Sequence, residues 1–349
     1  MKADEAKTPG EPTDVIGQLL RWVEDGRGAA LAAVVDTWGA SPSPVGSLLA
    51  VNDELAFVGS VSGGCVEGEV VTESQALIRD GGSKTLDYGI ADEDAWQVGL
   101  ACGGRVQVFV TGVTDPWRET LAALAEARGQ KRPAALIVDL GGGDPALHVT
   151  GETPSGPAAA DPGLAERLAA AIEADAGTQV EGPKGERLFV AVFNPPLRLL
   201  VVGAVHIAQA LAPMAGAAGF EVVVIDPRGA WATAARFPGV TIDPRWPREA
   251  LEALRPDRRT AVVSLSHDPK LDDPALIEAL GSDAFYIGAL GSRRTHAKRL
   301  KRLAADGVPA AALARIHAPV GLDIGAATPA EIAVSIVAEV VSELRRDLS

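Results

Sequence analysis

The second half of the sequence alternates short apolar runs with stretches of helical periodicity, and this alternation constrains the fold most. The runs are LLVVGA (199–204), EVVVID (221–226), TAVVSLSH (260–267), AFYIGALG (284–291) and RIHAP (315–319). Helices are predicted over 206–218, 273–280 and 294–304, and a last helix opens with TPAE, in which Thr328 can cap and Glu331 completes a capping box. Strands that alternate with helices form right-handed βαβ units around a parallel sheet. We therefore predict a doubly wound, Rossmann-like parallel sheet in residues 195–349.

The first half of the chain is predicted to form a different, mixed α/β domain. Its strand candidates are AALAAVVDTW, SLLAV, LAFVGS, KTLDYG, RVQVFV and AALIVDL, and its helices are expected to end near Glu24, to span 66–79 and to span 117–128. The sequence Asn194–Pro195–Pro196 is a linker signal, because prolines interrupt regular structure. The predicted domains are therefore residues 1–194 and 195–349, both of class α/β.

The charge balance excludes two kinds of partner. The chain has 32 basic and 46 acidic residues, a formal net charge of −14. Nucleic acid and anionic membrane surfaces both select clustered Lys and Arg, so neither is expected to bind. Any bound anion must be held by local backbone geometry or by a local arginine.

One uncharged stretch is long enough to cross a bilayer. Residues 199–220 contain no Asp, Glu, Lys or Arg, but they include Gly203, His206 and Pro213. They fit a buried strand followed by an Ala-rich helix better than a membrane span. The N-terminus has no apolar signal-peptide core, and two cysteines cannot form a disulfide framework. We therefore expect a cytoplasmic protein with reduced thiols.

The sequence GSVSGGCVEGEV (59–70) contains Cys65, one of only two cysteines in the chain. It is predicted to join a strand to a helix N-terminus, where unpaired backbone N–H groups can bind an anion. With Gly64 as N-cap, Glu67 takes the third helical position, and Cys65 lies in the first turn, where the pKa of a thiol is lowered. The predicted ligand-binding residues are Ser62, Gly63, Gly64, Cys65 and Glu67. The alternative is a buried, inert cysteine beside a glycine turn.

The second cysteine, Cys102, stands in a similar setting, GLACGGRVQVFV. It is followed by Gly103 and, three residues on, by Arg105, whose guanidinium suits phosphate or carboxylate. The alternative is a small residue packed at a turn into a strand. The two cysteines alone do not form a zinc site, since four ligands are usual and the chain has no CxxC.

The turn in LLVVGAVHIAQAL (199–211) has the position of a dinucleotide-binding turn. Gly203 ends the strand, His206 opens the helix, and Asp226 closes the next strand 23 residues after Gly203, close to the roughly 20 expected for a ribose-binding acid. However, Val205 replaces the middle glycine that lets a diphosphate approach. NAD in the usual pose is therefore doubtful, and Gly203, His206 and Asp226 are retained as candidate ligand residues.

A third candidate lies at the end of another predicted strand, in GALGSRR (288–294). Gly291, Ser292 and Arg293 form a glycine turn and a helix start, which suit a phosphate or a carboxylate. The alternative is a helix cap with solvated charges. That interpretation is preferred for the next basic residues of the helix, Arg294, Lys298 and Arg299.

Six segments together resemble a known family. They are GSVSGGCVEGEV, LACGGRVQVFV, DPRGAWATAARFPGV, SHDPKLDDPAL, YIGALGSRRTHAKRL and GLDIGAATPAEIAVSI. Each alone is weak, but the six in this order are similar to the XdhC/CoxI family of accessory proteins for molybdenum hydroxylases, over residues 14–344.

The resemblance implies an XdhC/CoxI domain followed by a Rossmann-like domain, and a function as a cofactor chaperone rather than an enzyme. Such proteins bind molybdenum cofactor (molybdopterin), protect it during sulfuration and pass it to apo xanthine dehydrogenase or a related molybdenum hydroxylase. On this basis Cys65, and after it Cys102, are predicted to contact the metal. A cysteine desulfurase is an expected partner, and a homodimer would match a dimeric client.

Two other functions remain open at this stage. The first is an NAD-dependent oxidoreductase that uses the C-terminal domain; it is weakened by Val205 and by the lack of an evident hydride-site pair. The second is a pure docking protein in which Cys65 and Cys102 are packing residues.

Overall fold

The computed structural model describes residues 14–346, except 40–42, 65, 90–103, 154, 155, 157, 158 and 160. The chain forms two compact units that divide between Pro195 and Pro196. Among the residues described, no helix is long and apolar enough to cross a membrane.

The N-terminal unit is built on a five-stranded antiparallel sheet. Its strands are β1 (Ala29–Trp38), β2 (Leu48–Asn52), β3 (Phe57–Gly59), β4 (Ser83–Tyr88) and β5 (Arg105–Gly112), in the order β3-β2-β1-β5-β4. Side chains alternate along a strand, so Ala32 and Val34 of β1 join the core under helix α2 (Glu67–Asp80), whereas Leu31 and Val35 join the core on the other face. The central strand is apolar and buried from Ala29 to Val35, because both of its faces are covered there.

A second antiparallel sheet completes this unit. It contains β6 (Ala134–Asp139), β7 (Ala146–Val149), β8 (Thr178–Glu181) and β9 (Arg187–Phe193), in the order β7-β6-β9-β8. Helices α1 (Val15–Glu24) and α3 (Asp115–Gly129) share the core with both sheets, and α4 (Pro162–Ala174) covers the outer face of the second sheet.

The C-terminal unit has a six-stranded parallel sheet. Its strands are β10 (Leu197–Val202), β11 (Phe220–Ile225), β12 (Thr241–Asp243), β13 (Thr260–Ser264), β14 (Tyr286–Ala289) and β15 (Ile316–His317), in the order β12-β11-β10-β13-β14-β15. This is the 3-2-1-4-5-6 strand order of the Rossmann fold. The chain first adds strands on one side of β10 and then, from β13 onwards, on its other side. The predicted α/β class with a doubly wound sheet is confirmed.

Helices cover both faces of the parallel sheet. One face carries α5 (His206–Ala217) and α10 (Pro329–Arg346), and the other carries α6 (Pro247–Leu254), α7 (Pro269–Leu280) and α8 (Arg293–Ala305); α9 (Ala310–Leu313) is a single turn. The predicted capping box is present, since Glu331 N donates to Thr328 Oγ1 at 3.3 Å and Thr328 N donates to Glu331 Oε2 at 2.9 Å. The predicted start of α7 at 273 is wrong, because Asp268 caps the helix and Pro269 is its first residue.

Candidate functional site

The loop before α2 is tied together by the buried carboxylate of Glu67. Its Oε1 accepts hydrogen bonds from the amides of Val61 (3.2 Å) and Ser62 (2.9 Å) and from the Ser60 hydroxyl (2.7 Å). Its Oε2 accepts the Gly64 amide at 2.8 Å and the Ser62 hydroxyl. Burial alone would raise the pKa of Glu67, but the bonds from Ser62 and Ser60 outweigh it and lower the pKa to about 2. Glu67 is therefore a fixed negative charge inside the loop.

This arrangement corrects two expectations for the loop. Helix α2 begins at Glu67 with Val66 as its N-cap, so the predicted N-cap at Gly64 is wrong. The Gly63 amide donates to Ser60 Oγ and the Val66 amide to Ser62 Oγ, each at 2.9 Å. The described amides from Val61 to Val66 thus already have acceptors, and they do not form an open phosphate cradle. The loop's own carboxylate takes the place of the expected anion.

The two glycines of the loop are required by its backbone. Gly63 and Gly64 have φ values of +73° and +114°, which residues other than glycine rarely adopt. Both are exposed, and a Cβ on Gly64 would meet no described atom within 4 Å. The described residues therefore leave space next to the backbone on this side of position 65.

Three of the predicted site residues, Cys65, Cys102 and Gly103, lie outside the described residues. Within the ranges that the structure covers, no group of three or more His, Cys, Asp or Glu side chains could hold a metal ion. The predicted contacts of the two cysteines with a metal stay predictions.

Arg105 lies on the opposite face of the sheet from the Cys65 loop. It is the first residue of β5, pairs with Asp87 at 3.2 Å and places its guanidinium 4.9 Å from the ring centre of the exposed Trp38. The next residue, Val106, shares the core under α2 with Val61 of the loop. Since neighbouring residues of a strand point to opposite faces, Arg105 and the loop share a region of the sheet without sharing a face.

In the C-terminal unit, the segment that follows β13 packs closely against the turn after β10. Gly203 has a φ of +105°, and a Cβ there would lie 3.0 Å from Ser266, which follows β13. Val205 is the N-cap of α5, and the exposed His206 is its first residue.

Asp226, the predicted ribose-binding acid, is fully buried and committed to internal partners. Its Oδ2 accepts the Ala204 amide at 2.8 Å, and Arg228 binds both oxygens through Nε (2.9 Å) and Nη2 (2.7 Å). Burial alone would raise the pKa of Asp226, but these bonds lower it below its usual value. A ribose-binding acid must offer its oxygens to the ligand. Together with Val205, this means that the residues present do not fit a dinucleotide in the usual pose.

A feature that the sequence analysis missed lies beside Asp226. The tetrapeptide Ile-Asp-Pro-Arg occurs twice, at 225–228 and 242–245. In the second copy Arg245 binds the Asp243 carboxylate through Nε (2.9 Å) and Nη2 (2.5 Å), as Arg228 binds Asp226. Both copies end neighbouring strands, and each is followed by an exposed tryptophan, Trp231 or Trp246. The repeated tetrapeptide was the signal for these paired Asp–Arg clamps.

The third predicted site forms a helix start. Ser292 is the N-cap of α8 and accepts the Thr295 amide at 3.2 Å, Gly291 has a φ of +131°, and Arg293 is exposed. The solvated interpretation of Arg299 is wrong, since this residue is 2% exposed. Its Nη2 donates to the Leu290 carbonyl at 2.8 Å, while Nε and Nη1 have no partner among the described residues.

Known proteins share both units of this chain. The XdhC and CoxI family model matches residues 22–89, and the model of the XdhC Rossmann domain matches residues 199–340. The chain belongs to the XdhC/CoxI family, and the predicted resemblance is confirmed.

Two relatives match it over most of their own length. The molybdenum cofactor insertion chaperone PaoD of Escherichia coli is 28% identical over 95% of this chain and 89% of its own. A Bacillus subtilis protein, named as a probable xanthine dehydrogenase subunit, is 27% identical over 93% of this chain and 96% of its own. A crystal structure described as a xanthine dehydrogenase from Bacillus halodurans superposes with a TM-score of 0.74 over 96% of each chain; at 24% identity it shows the shared fold.

Proposed function

We propose that this protein binds molybdenum cofactor as a cargo and delivers it, after sulfuration, to a xanthine dehydrogenase-type molybdenum hydroxylase. The names of two relatives, a molybdenum cofactor insertion chaperone and a probable xanthine dehydrogenase subunit, support a chaperone function. The structural observation that carries the proposal is the loop on either side of position 65, which the Glu67 carboxylate ties together through five hydrogen bonds. A Cβ on Gly64 would meet no described atom within 4 Å.

The chemistry of this loop suits the cargo. Thiolates are soft ligands that bind soft metal centres, so we assign the first metal contact to Cys65 and a second to Cys102. Since the described loop amides are paired internally, the phosphate of the cofactor needs another partner. The guanidinium of Arg105 is held by Asp87 and Trp38 and stays more than half exposed. It lies on the opposite face of the sheet from the loop, so we do not assign it to the phosphate of the same bound molecule. The further partners in this proposal are a cysteine desulfurase that supplies sulfur and a second copy of the chain.

The direct test is retention of the cargo. Purified protein is loaded with molybdenum cofactor and desalted, and molybdenum and pterin are measured per chain for the wild type, Cys65→Ala and Cys102→Ala. We expect the wild type to retain both, Cys65→Ala to lose most of the metal, and Cys102→Ala to lose less. If the wild type retains neither, the proposal is wrong.

Two simpler measurements address the alternatives. Titration with NAD and NADH, followed by tryptophan fluorescence, should show no saturable binding at micromolar concentrations, because Asp226 and Val205 do not fit the dinucleotide. Alkylation of the native protein at neutral pH should modify Cys65. If neither thiol reacts, the docking-protein alternative is favoured.

A further inference from the structure

The segment after β11 forms a small aromatic and cationic surface at the carboxyl edge of the parallel sheet. Trp231 is 42% exposed, and two guanidinium groups lie over its ring, with Arg228 Cζ at 4.8 Å and Arg236 Cζ at 5.6 Å from the centroid. Ligands of this fold bind at the carboxyl ends of the strands. The surface therefore lies where the architecture places ligands, although the dinucleotide residues are missing.

Both arginines are held in place by other contacts. Arg228 uses Nε and Nη2 on the Asp226 carboxylate, which leaves Nη1 without a partner in the described part of the chain. Arg236 donates from Nη2 to Gln209 Oε1 at 3.0 Å and from Nη1 to the Trp231 carbonyl at 2.5 Å. Gln209 Nε2 in turn donates to the Arg236 carbonyl at 3.2 Å, so these hydrogen bonds connect the segment to α5. A ligand would meet a surface that is already ordered.

The local charge is opposite to that of the whole protein. Residues 226–248 contain four arginines and two aspartates, whereas the chain carries a net charge of −14. Both aspartates are paired within their own Asp-Pro-Arg sequences. Arg236 has no carboxylate partner among the described residues, so its positive charge is not compensated by an ion pair.

We infer that Trp231, with Arg228 and Arg236, binds a planar heteroaromatic ring that carries a phosphate group. The part of the Trp231 side chain that the two guanidinium groups leave exposed offers an aromatic surface for such a ring, and guanidinium groups recognise phosphate through charge-assisted hydrogen bonds. Two sources share this chemistry: a free nucleotide, and the phosphate-bearing pterin of the proposed cargo. The first is independent of the proposed function, and the second rests on it.

The chain supplies a matched control for this site. Trp246 follows the second Asp-Pro-Arg sequence, is 53% exposed, and belongs to the same unit. It has no guanidinium stacked over its ring among the described residues. Trp231→Leu and Trp246→Leu therefore each remove one exposed indole ring, but only Trp231→Leu is expected to weaken ligand binding.

The experiment uses the full chain and three probes: guanosine monophosphate, cytidine monophosphate and inorganic phosphate, each titrated by calorimetry. Molybdenum cofactor is tested separately by pterin retention after desalting. The variants are Trp231→Leu, Arg236→Gln and Trp246→Leu, and circular dichroism verifies that each is folded. Loss of a stacked ring is expected to weaken binding roughly tenfold to a hundredfold.

Each outcome decides the inference. Nucleotide binding that is weakened by Trp231→Leu and Arg236→Gln, but not by Trp246→Leu, supports it with a nucleotide as the source. The same pattern in pterin retention alone supports it with the cargo as the source. It is overturned if neither ligand binds, if both tryptophan variants behave alike, or if inorganic phosphate binds as tightly as the nucleotides. Retention of cofactor by the wild type and by Trp231→Leu alike, without nucleotide binding, overturns this inference and leaves the proposed function standing.

Discussion

Gly203 and Ser266 approach so closely that a Cβ on Gly203 would lie 3.0 Å from the Cβ and the amide nitrogen of Ser266. Gly203 also has a φ of +105°, which strains any other residue. We therefore expect Gly203→Ala to reduce the free energy of unfolding by roughly 1–3 kcal/mol. Gly216, on α5, has no described atom beyond its own helix backbone within 4 Å of its Cβ position, so Gly216→Ala should be stabilising by about 0.5 kcal/mol. Urea denaturation of both variants tests this, and equal effects would contradict it.

Replacing Glu67 should loosen the loop before α2. Glutamine keeps one acceptor but loses the negative charge that three amides and two hydroxyls share. We expect Glu67→Gln to reduce the free energy of unfolding by about 2–4 kcal/mol, and to increase amide hydrogen exchange at Ser62 and Gly64. Glu69→Gln, two residues along the same helix at an exposed position, is the control and should change little. Slow exchange in Glu67→Gln would show that the carboxylate is dispensable.

The Asp226 clamp should make stability depend on acid pH. The pKa of Asp226 is lower in the folded protein than its usual value of about 3.9. A lowered folded pKa adds stability that is complete above the unfolded pKa and is lost as pH falls below it. Asp226→Asn should therefore be less stable than the wild type at pH 7, and the difference should narrow as pH falls from about 4 towards 2. If the difference in stability between the wild type and Asp226→Asn does not change with pH, the negative charge of Asp226 does not stabilise the fold.

The second clamp provides the comparison. Asp243 also has a lowered pKa, caused first by its bond to Arg245, but no backbone amide outside its own clamp donates to its carboxylate in the described structure. Asp226 additionally holds the Ala204 amide. Asp243→Asn should therefore reduce the free energy of unfolding less than Asp226→Asn at pH 7. The reverse order would contradict a stabilising role for the bond between the Ala204 amide and Asp226.

The only two tyrosines of the chain should respond in opposite ways to loss of the hydroxyl. The buried Tyr286 donates to Glu339, and burial raises its pKa, as does this carboxylate. Tyr286→Phe should cost about 1–2 kcal/mol of stability. The Tyr88 hydroxyl is buried without a partner among the described residues, so Tyr88→Phe should be neutral or slightly stabilising. Thermal unfolding distinguishes the two, and a loss in Tyr88→Phe would reveal a partner for its hydroxyl.

Local sequence signals predicted most of the strands of the two units, but not all of them. Strands β10 and β13 contain the runs LLVV and AVV, which are buried on both faces and therefore apolar, so the sequence reveals them. Strand β12 has three residues, and β8 reads TQVE, so neither offers an apolar run. Helix α4 does carry a start signal, because Asp161 caps it and Pro162 is its first residue.

The candidate sites were harder to predict because their hydrogen bonds depend on the exact path of the backbone between residues close in sequence. The glycines of the Cys65 loop were correctly interpreted as a tight turn. That Glu67 would occupy the amides depends on where α2 begins, and a shift of its N-cap from Gly64 to Val66 changes the role of the carboxylate. Similarly, Asp226 was identified by its spacing, whereas its pairing with Arg228 depends on the turn between them.

The internal pairing of the Cys65 loop has a kinetic consequence for anything that binds there. The described amides of the loop are already bonded within the protein before a ligand arrives, so they make no bond to a ligand that must break when it leaves. Residence time is then set by the thiol and by whatever side chains reach the ligand. For a protein that passes its cargo on, the recipient has to replace only those side-chain contacts, while the hydrogen bonds of the Glu67 carboxylate stay intact.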